Sequence, residues 1–71
     1  MFKLVFFLYD TEDGEKDEQI GVYFSSCVPR RSELVTLKGE TYKVINIEYI
    51  FIESLLVKDT LQEVHIFLEI I

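Results

Sequence analysis

From Val35 to Val44 apolar and polar positions alternate on either side of a Gly39-Glu40 step. The pattern predicts a two-residue hairpin with Lys38 opposite Thr41, Leu37 opposite Tyr42, Thr36 opposite Lys43 and Val35 opposite Val44. One side of that ladder is apolar and the other polar, and a one-residue slip would put Leu37 and Tyr42 on opposite faces. Residues 2–9 alternate too, with Phe2, Leu4, Phe6 and Leu8 on one face and Lys3, Val5, Phe7 and Tyr9 on the other. Both faces are largely apolar, which suits a strand covered on two sides or one whose outer face meets a partner. Residues 19–28 set Ile20, Val22, Phe24 and Val28 against Tyr23, Ser25 and Cys27. Gly21 interrupts them, as a bulge, a bend or a close backbone approach would require. Pro29, which offers no ladder donor, closes that strand.

Beyond Val44 the inward series would run through Asn46 and Glu48, whose burial is costly. A bulge near Ile45-Asn46 avoids it, turning Ile47, Tyr49 and Phe51 to the core and bending one long strand. The last strand, Val64–Ile70, places Val64, Ile66, Leu68 and Ile70 against Glu63, His65, Phe67 and Glu69. Between these two lies Glu53–Gln62, which fits two readings. Lys58-Asp59 suits the tip of a hairpin or loop, whereas Thr60-Leu61-Gln62-Glu63 fits a capping box and Leu56, Thr60 and Val64 a helical stripe. Five strands with short links predict one all-β domain over residues 1–71, a small five-stranded SH3-like barrel. An OB-like barrel, or an α+β fold with a short helical turn near 54–63, are the alternatives.

Residues Pro29-Arg30-Arg31-Ser32-Glu33-Leu34-Val35-Thr36-Leu37-Lys38-Gly39-Glu40-Thr41-Tyr42-Lys43-Val44 resemble a pattern of small SH3-like barrel proteins of bacteria, phages and mobile elements. In that pattern a Pro, a Gly-Asp or Gly-Glu pair, a Val-x-Leu strand, a Gly turn and Tyr-x-Val recur. Ser32 stands where the family usually has glycine. The resemblance implies an SH3-like barrel and an accessory, phage-encoded setting, and it implies no active site.

Composition adds a demand for contact. A chain of 71 residues buries only about 60% of its unfolded surface on folding. This one is 49% apolar, with six Phe and four Tyr. More large apolar side chains are present than a lone small barrel hides, so a homo-oligomer or a protein partner is expected. The two-sided first and last strands supply the candidate contacts Phe7, Tyr9, Phe67 and Ile71, and suit sheet edges that pair between chains.

Charge then narrows the partners. A net charge of −6 and a pI near 4.5 argue against sequence-independent nucleic-acid binding and against an anionic membrane surface. Residues 10–18 hold six of the thirteen acids and one of the seven bases, a local net of −5. A solvated loop explains this run, and the sharper reading is an acidic inhibitor whose Glu12, Asp13, Glu15 and Asp17 occupy a basic, nucleic-acid-binding surface of a host enzyme. Counted from Asp10, Gly14 falls at the fifth position of an EF-hand loop instead of the sixth, so no metal is expected.

Little else in the chain suggests chemistry. Cys27, the single cysteine, makes no internal disulfide, which favours a reducing cytoplasm. The apolar opening resembles a signal-peptide core but passes into acids without a small-residue cleavage site, and no run reaches the ~18 apolar residues of a membrane span. His65 and Cys27 would form a nucleophilic pair only if the fold joined them; a buried thiol and a surface strand imidazole are the expectation. Arg30-Arg31 reads as solvated. Tyr9, Tyr23, Tyr42 and Tyr49 lack the Trp that a peptide groove of signalling SH3 domains would add. The expectation is therefore a protein-interaction module, without enzymatic activity or cofactor.

Overall fold

The computed structural model describes residues 1–9, 18–51 and 62–71. Their strands are β1 (Phe2–Leu8), β2 (Glu18–Ser25), β3 (Leu34–Leu37), β4 (Glu40–Ile50) and β5 (Gln62–Ile70). They form one sheet in the order β2-β1-β5-β4-β3. β1 and β5 run parallel, and every other neighbouring pair is antiparallel. The sheet curls into a half-barrel, consistent with a small SH3-like barrel, and the described residues contain no helix. The two readings of Glu53–Gln62 fall almost wholly outside the described residues, of which Gln62 opens β5.

Leu4 and Phe6 of β1, Val44 of β4, and Val64, Ile66 and Leu68 of β5 make the buried cluster. Phe2, Ile20, Val28, Val35, Leu37, Tyr42 and Ile47 pack around it. β5 contributes every second residue because a strand's side chains alternate between faces. The sheet order corrects the expectation that the first and last strands are edges. β1 and β5 lie side by side in the middle, where a strand flanked on both sides tolerates apolar residues on both faces, and the edges are β2 and β3.

The central hairpin forms one residue earlier than the pattern predicts. Leu37 pairs with Glu40, Thr36 with Thr41, Val35 with Tyr42 and Leu34 with Lys43, so Lys38 and Gly39 occupy the turn. Their φ values, +52° and +82°, are those of a type I′ turn, which needs positive φ at both central residues. Glycine serves the second of these positions at no steric cost, whereas Gly39-Glu40 would place a glutamate there. Each partner moves by two positions, so the faces survive: Val35, Leu37 and Tyr42 still share the core side. On the other side the Thr36 and Thr41 hydroxyls meet at 3.0 Å.

The bulge in β4 is present. Val44 pairs with Leu68 and Asn46 with Phe67, leaving Ile45 as the extra residue. Asn46 and Glu48 are exposed, and Ile47 turns to the cluster. Tyr49 follows on the same side, opposite Val64, but Tyr49 and Phe51 are not core residues: 50% and 69% of their surfaces stay exposed. They stack on each other at 6.5 Å.

A second bulge changes the parity of β2. Phe6 pairs with Gly21 and Phe7 with Gln19, so Ile20 is extra. Ile20 thus joins the core side while Val22 and Phe24, opposite Val5 and Lys3, face outward, and Tyr23 opposite Leu4 faces in. The alternation that grouped Ile20 with Val22 and Phe24 fails at this inserted residue. Gly21 supplies the close approach: a Cβ there would sit 2.7 Å from Cε2 of Tyr23. The Tyr23 ring meets Phe6 edge-on at 5.7 Å.

Between β2 and β3 the chain makes a tight connector. Ser32 adopts φ +75°, the region that favours glycine. Its N–H donates to Val44 O at 2.8 Å, Val44 N–H donates to Glu33 O at 2.9 Å, and Arg30 N–H donates to the Glu33 carboxylate. Serine therefore stands in a backbone conformation that glycine adopts more readily.

Candidate interaction surface

Pairing places three rows of side chains on the face opposite the core. Phe24, Lys3, Glu63 and Ile50 form the first, and Val22, Val5, His65 and Glu48 the second. Gln19, Phe7, Phe67 and Asn46 form the third. The parallel pairing of β1 with β5 brings Phe7 and Phe67 together as stacked rings 5.5 Å apart, and Phe7 also meets the His65 ring at 4.9 Å. Both phenylalanines are half-buried, Tyr9 is exposed, and Tyr9 N–H donates to Leu68 O at 2.8 Å. Tyr9 and Phe67 line an open hollow of about 390 Å³ with Ile45, Asn46 and Glu48. Ile71 is 71% exposed.

Beside the aromatic patch runs a polar chain. Lys3 Nζ lies 3.3 Å from Glu63 Oε1, His65 Nε2 lies 2.8 Å from Glu63 Oε2, and His65 Nδ1 stands 3.9 Å from Glu48. A carboxylate only accepts, so Nε2–H of His65 donates. That bond, and then the one from Lys3, hold the Glu63 carboxyl below its ordinary value of 4.5. The arrangement holds the His65 ring between two carboxylates.

Cys27 corrects the expectation of a buried thiol. It is exposed, because β2 ends at Ser25 and the cysteine falls in the connector. There it lines an open cleft of about 570 Å³ with Leu4, Val28, Pro29, Arg30 and Val35. His65 points from the opposite face of the sheet, so the two are not brought together. Arg31 Nε donates to Ile45 O at 3.2 Å, tying the connector to the β4 bulge. Glu12, Asp13, Glu15 and Asp17 lie outside the described residues. Among the described residues no three His, Cys, Asp or Glu side chains gather as a metal site would need, and no helix is long and apolar enough to cross a membrane.

Sequence reasoning missed the β2 edge. Val22, Tyr23 and Phe24 are consecutive and exposed at 40%, 38% and 59%. The signal was present in the uncharged run from Gln19 to Pro29 within a chain that is 28% charged. Compared with known proteins, the chain matches no family model, no curated protein and no solved structure, and the role of this surface rests on its geometry.

Proposed function

We propose that the chain is a non-enzymatic protein-interaction module that self-associates or docks on a protein through apolar side chains left at its surface. The observation that carries this reading is the mismatch between core and supply. The half-barrel encloses one small cluster, while Tyr9, Val22, Phe24, Tyr49, Phe51 and Ile71 stay exposed. Scattered apolar residues are ordinary on a protein surface, but runs of aromatic and β-branched residues on one small domain mark contact sites. The Phe7–Phe67 stack and Tyr9 add a rigid aromatic anchor of the type that dominates binding energy. The likeness of residues 29–44 to accessory SH3-like proteins favours the same class of role.

Two measurements test it together: sedimentation of the chain alone, and capture of a binding protein by immobilised chain, each compared with Tyr9→Ser and Phe67→Ser. Association or saturable capture that weakens in either variant supports the module. A chain that stays monomeric and captures identically with both variants would remove it.

A further inference from the structure

The geometry points to β2 as a homodimer edge: the strand pairs antiparallel with β2 of a second copy about a two-fold axis, joining two five-stranded sheets into one. The inference rests on the reading of the chain as an interaction module and names its partner and its contact.

The two edges of the sheet differ in how they are protected. β3 is short, at four residues, and ends in Lys38 at the turn. Short length and lysine are the usual devices that keep an edge from pairing with another chain. β2 has eight residues and, among the described strands, pairs only with β1. Its single charge is Glu18 at one end, and its bulge falls at Ile20, which leaves Gly21–Ser25 as a regular, uncharged edge.

Charge permits a second copy at this edge. A chain with a net charge of −6 repels itself over most of its surface, and such repulsion is costly where like charges meet at a contact. The stretch Gln19–Pro29 is where two copies meet without opposing any charge. An acidic or basic partner would find nothing there to complement. Two-fold pairing is also self-complementary by construction, since the donors and acceptors along an antiparallel edge match their own rotated image. It places Val22 and Phe24 on one face, and Tyr23 on the other, against their copies, where cross-strand aromatic and β-branched pairs stabilise a sheet.

Sedimentation equilibrium from micromolar concentration upward reads the mass of the wild-type chain and of the double variant Val22→Lys/Phe24→Lys. Both positions are exposed, so the fold should persist, and circular dichroism checks that it does. The expected result is a dimer whose Kd rises about a hundredfold or more in the variant, since like charges opposed at an interface cost several kcal/mol. Single cysteines at positions 22, 23 and 24, in a Cys27→Ser background, are then joined with a short thiol-specific bifunctional reagent. Only the residue nearest a two-fold axis faces itself, so cross-linking should peak at one position and fall on both sides. This arm decides the matter if the lysine variant fails to fold. A monomeric wild type overturns the inference. So does a dimer that persists in the folded variant, or one that yields no cross-link at any of the three sites; in these last two cases the interaction-module reading stands and another face carries it.

Discussion

Ser32→Gly should stabilise the protein. The residue sits at φ +75°, and a left-handed backbone costs a residue with a Cβ about 1–2 kcal/mol. Glycine removes that cost but adds freedom to the unfolded chain, about 0.4–1 kcal/mol in the opposite direction. The Ser32 N–H bond to Val44 O uses the backbone and survives the change. The net gain is then about 0.5–1 kcal/mol, which for a domain of this size raises Tm by about 2–8 °C. Thermal and urea unfolding followed by circular dichroism measure it, with an unchanged urea slope showing that the unfolded state has not been remodelled. Gly39→Ala supplies the reverse case. Gly39 has φ +82° and no atom within 4 Å of where a Cβ would sit, so the backbone penalty acts without a clash and, less the unfolded-state freedom that alanine removes, about 0.5–1 kcal/mol should be lost. A Ser32→Gly protein no more stable than wild type, beside a Gly39→Ala protein that loses nothing, would refute the backbone reasoning.

Leu68→Ala removes a side chain with no exposed surface from the centre of the cluster and should cost about 2–5 kcal/mol. Total stability for a chain this size is about 4–11 kcal/mol, so urea titration should find a large fall in the unfolding midpoint with the slope unchanged. Glu63 titrates lower in the folded protein than its ordinary 4.5 because of His65 and Lys3. Folding therefore favours its charged form, the contribution is complete above the ordinary range, and it disappears as pH falls through the lowered folded value. Glu63→Gln should flatten the acid limb of a stability-against-pH curve, and an unaltered limb would show that the contacts of Glu63 do not matter in solution.

Where a wrong guess would have buried a polar group, the sequence was readable. Asn46 and Glu48 could not lie inside without partners, so a bulge at Ile45 was demanded, and it is there. The bulge at Ile20 was marked only by the neighbouring Gly21, because Ile20, Val22 and Phe24 spell an acceptable apolar series whether or not a residue is inserted. The hairpin kept its faces although its turn moved by one residue, because parity is governed by burial whereas turn position depends on which residues accept positive φ. Two-sided apolarity in residues 2–9 and 64–70 was seen, but it fits an edge with a partner as well as a strand between neighbours. Only the non-local parallel pairing of β1 with β5 separates those cases. That same pairing assembles Phe7 with Phe67, which is why the stack was not legible beforehand although both residues had been singled out.

The parallel contact between β1 and β5 also sets the timing of biogenesis. A ribosome delivers β1 and β2 early, then β3 and β4, yet neither antiparallel pair can enclose the cluster without Val64, Ile66 and Leu68. Two nascent hairpins must wait, with their greasy sides showing, for the strand that slots between them. Long-range closure of this type is slow and leaves partly made chains sticky. Until residues 62–70 are free to pair, the folding chain is therefore most open to aggregation.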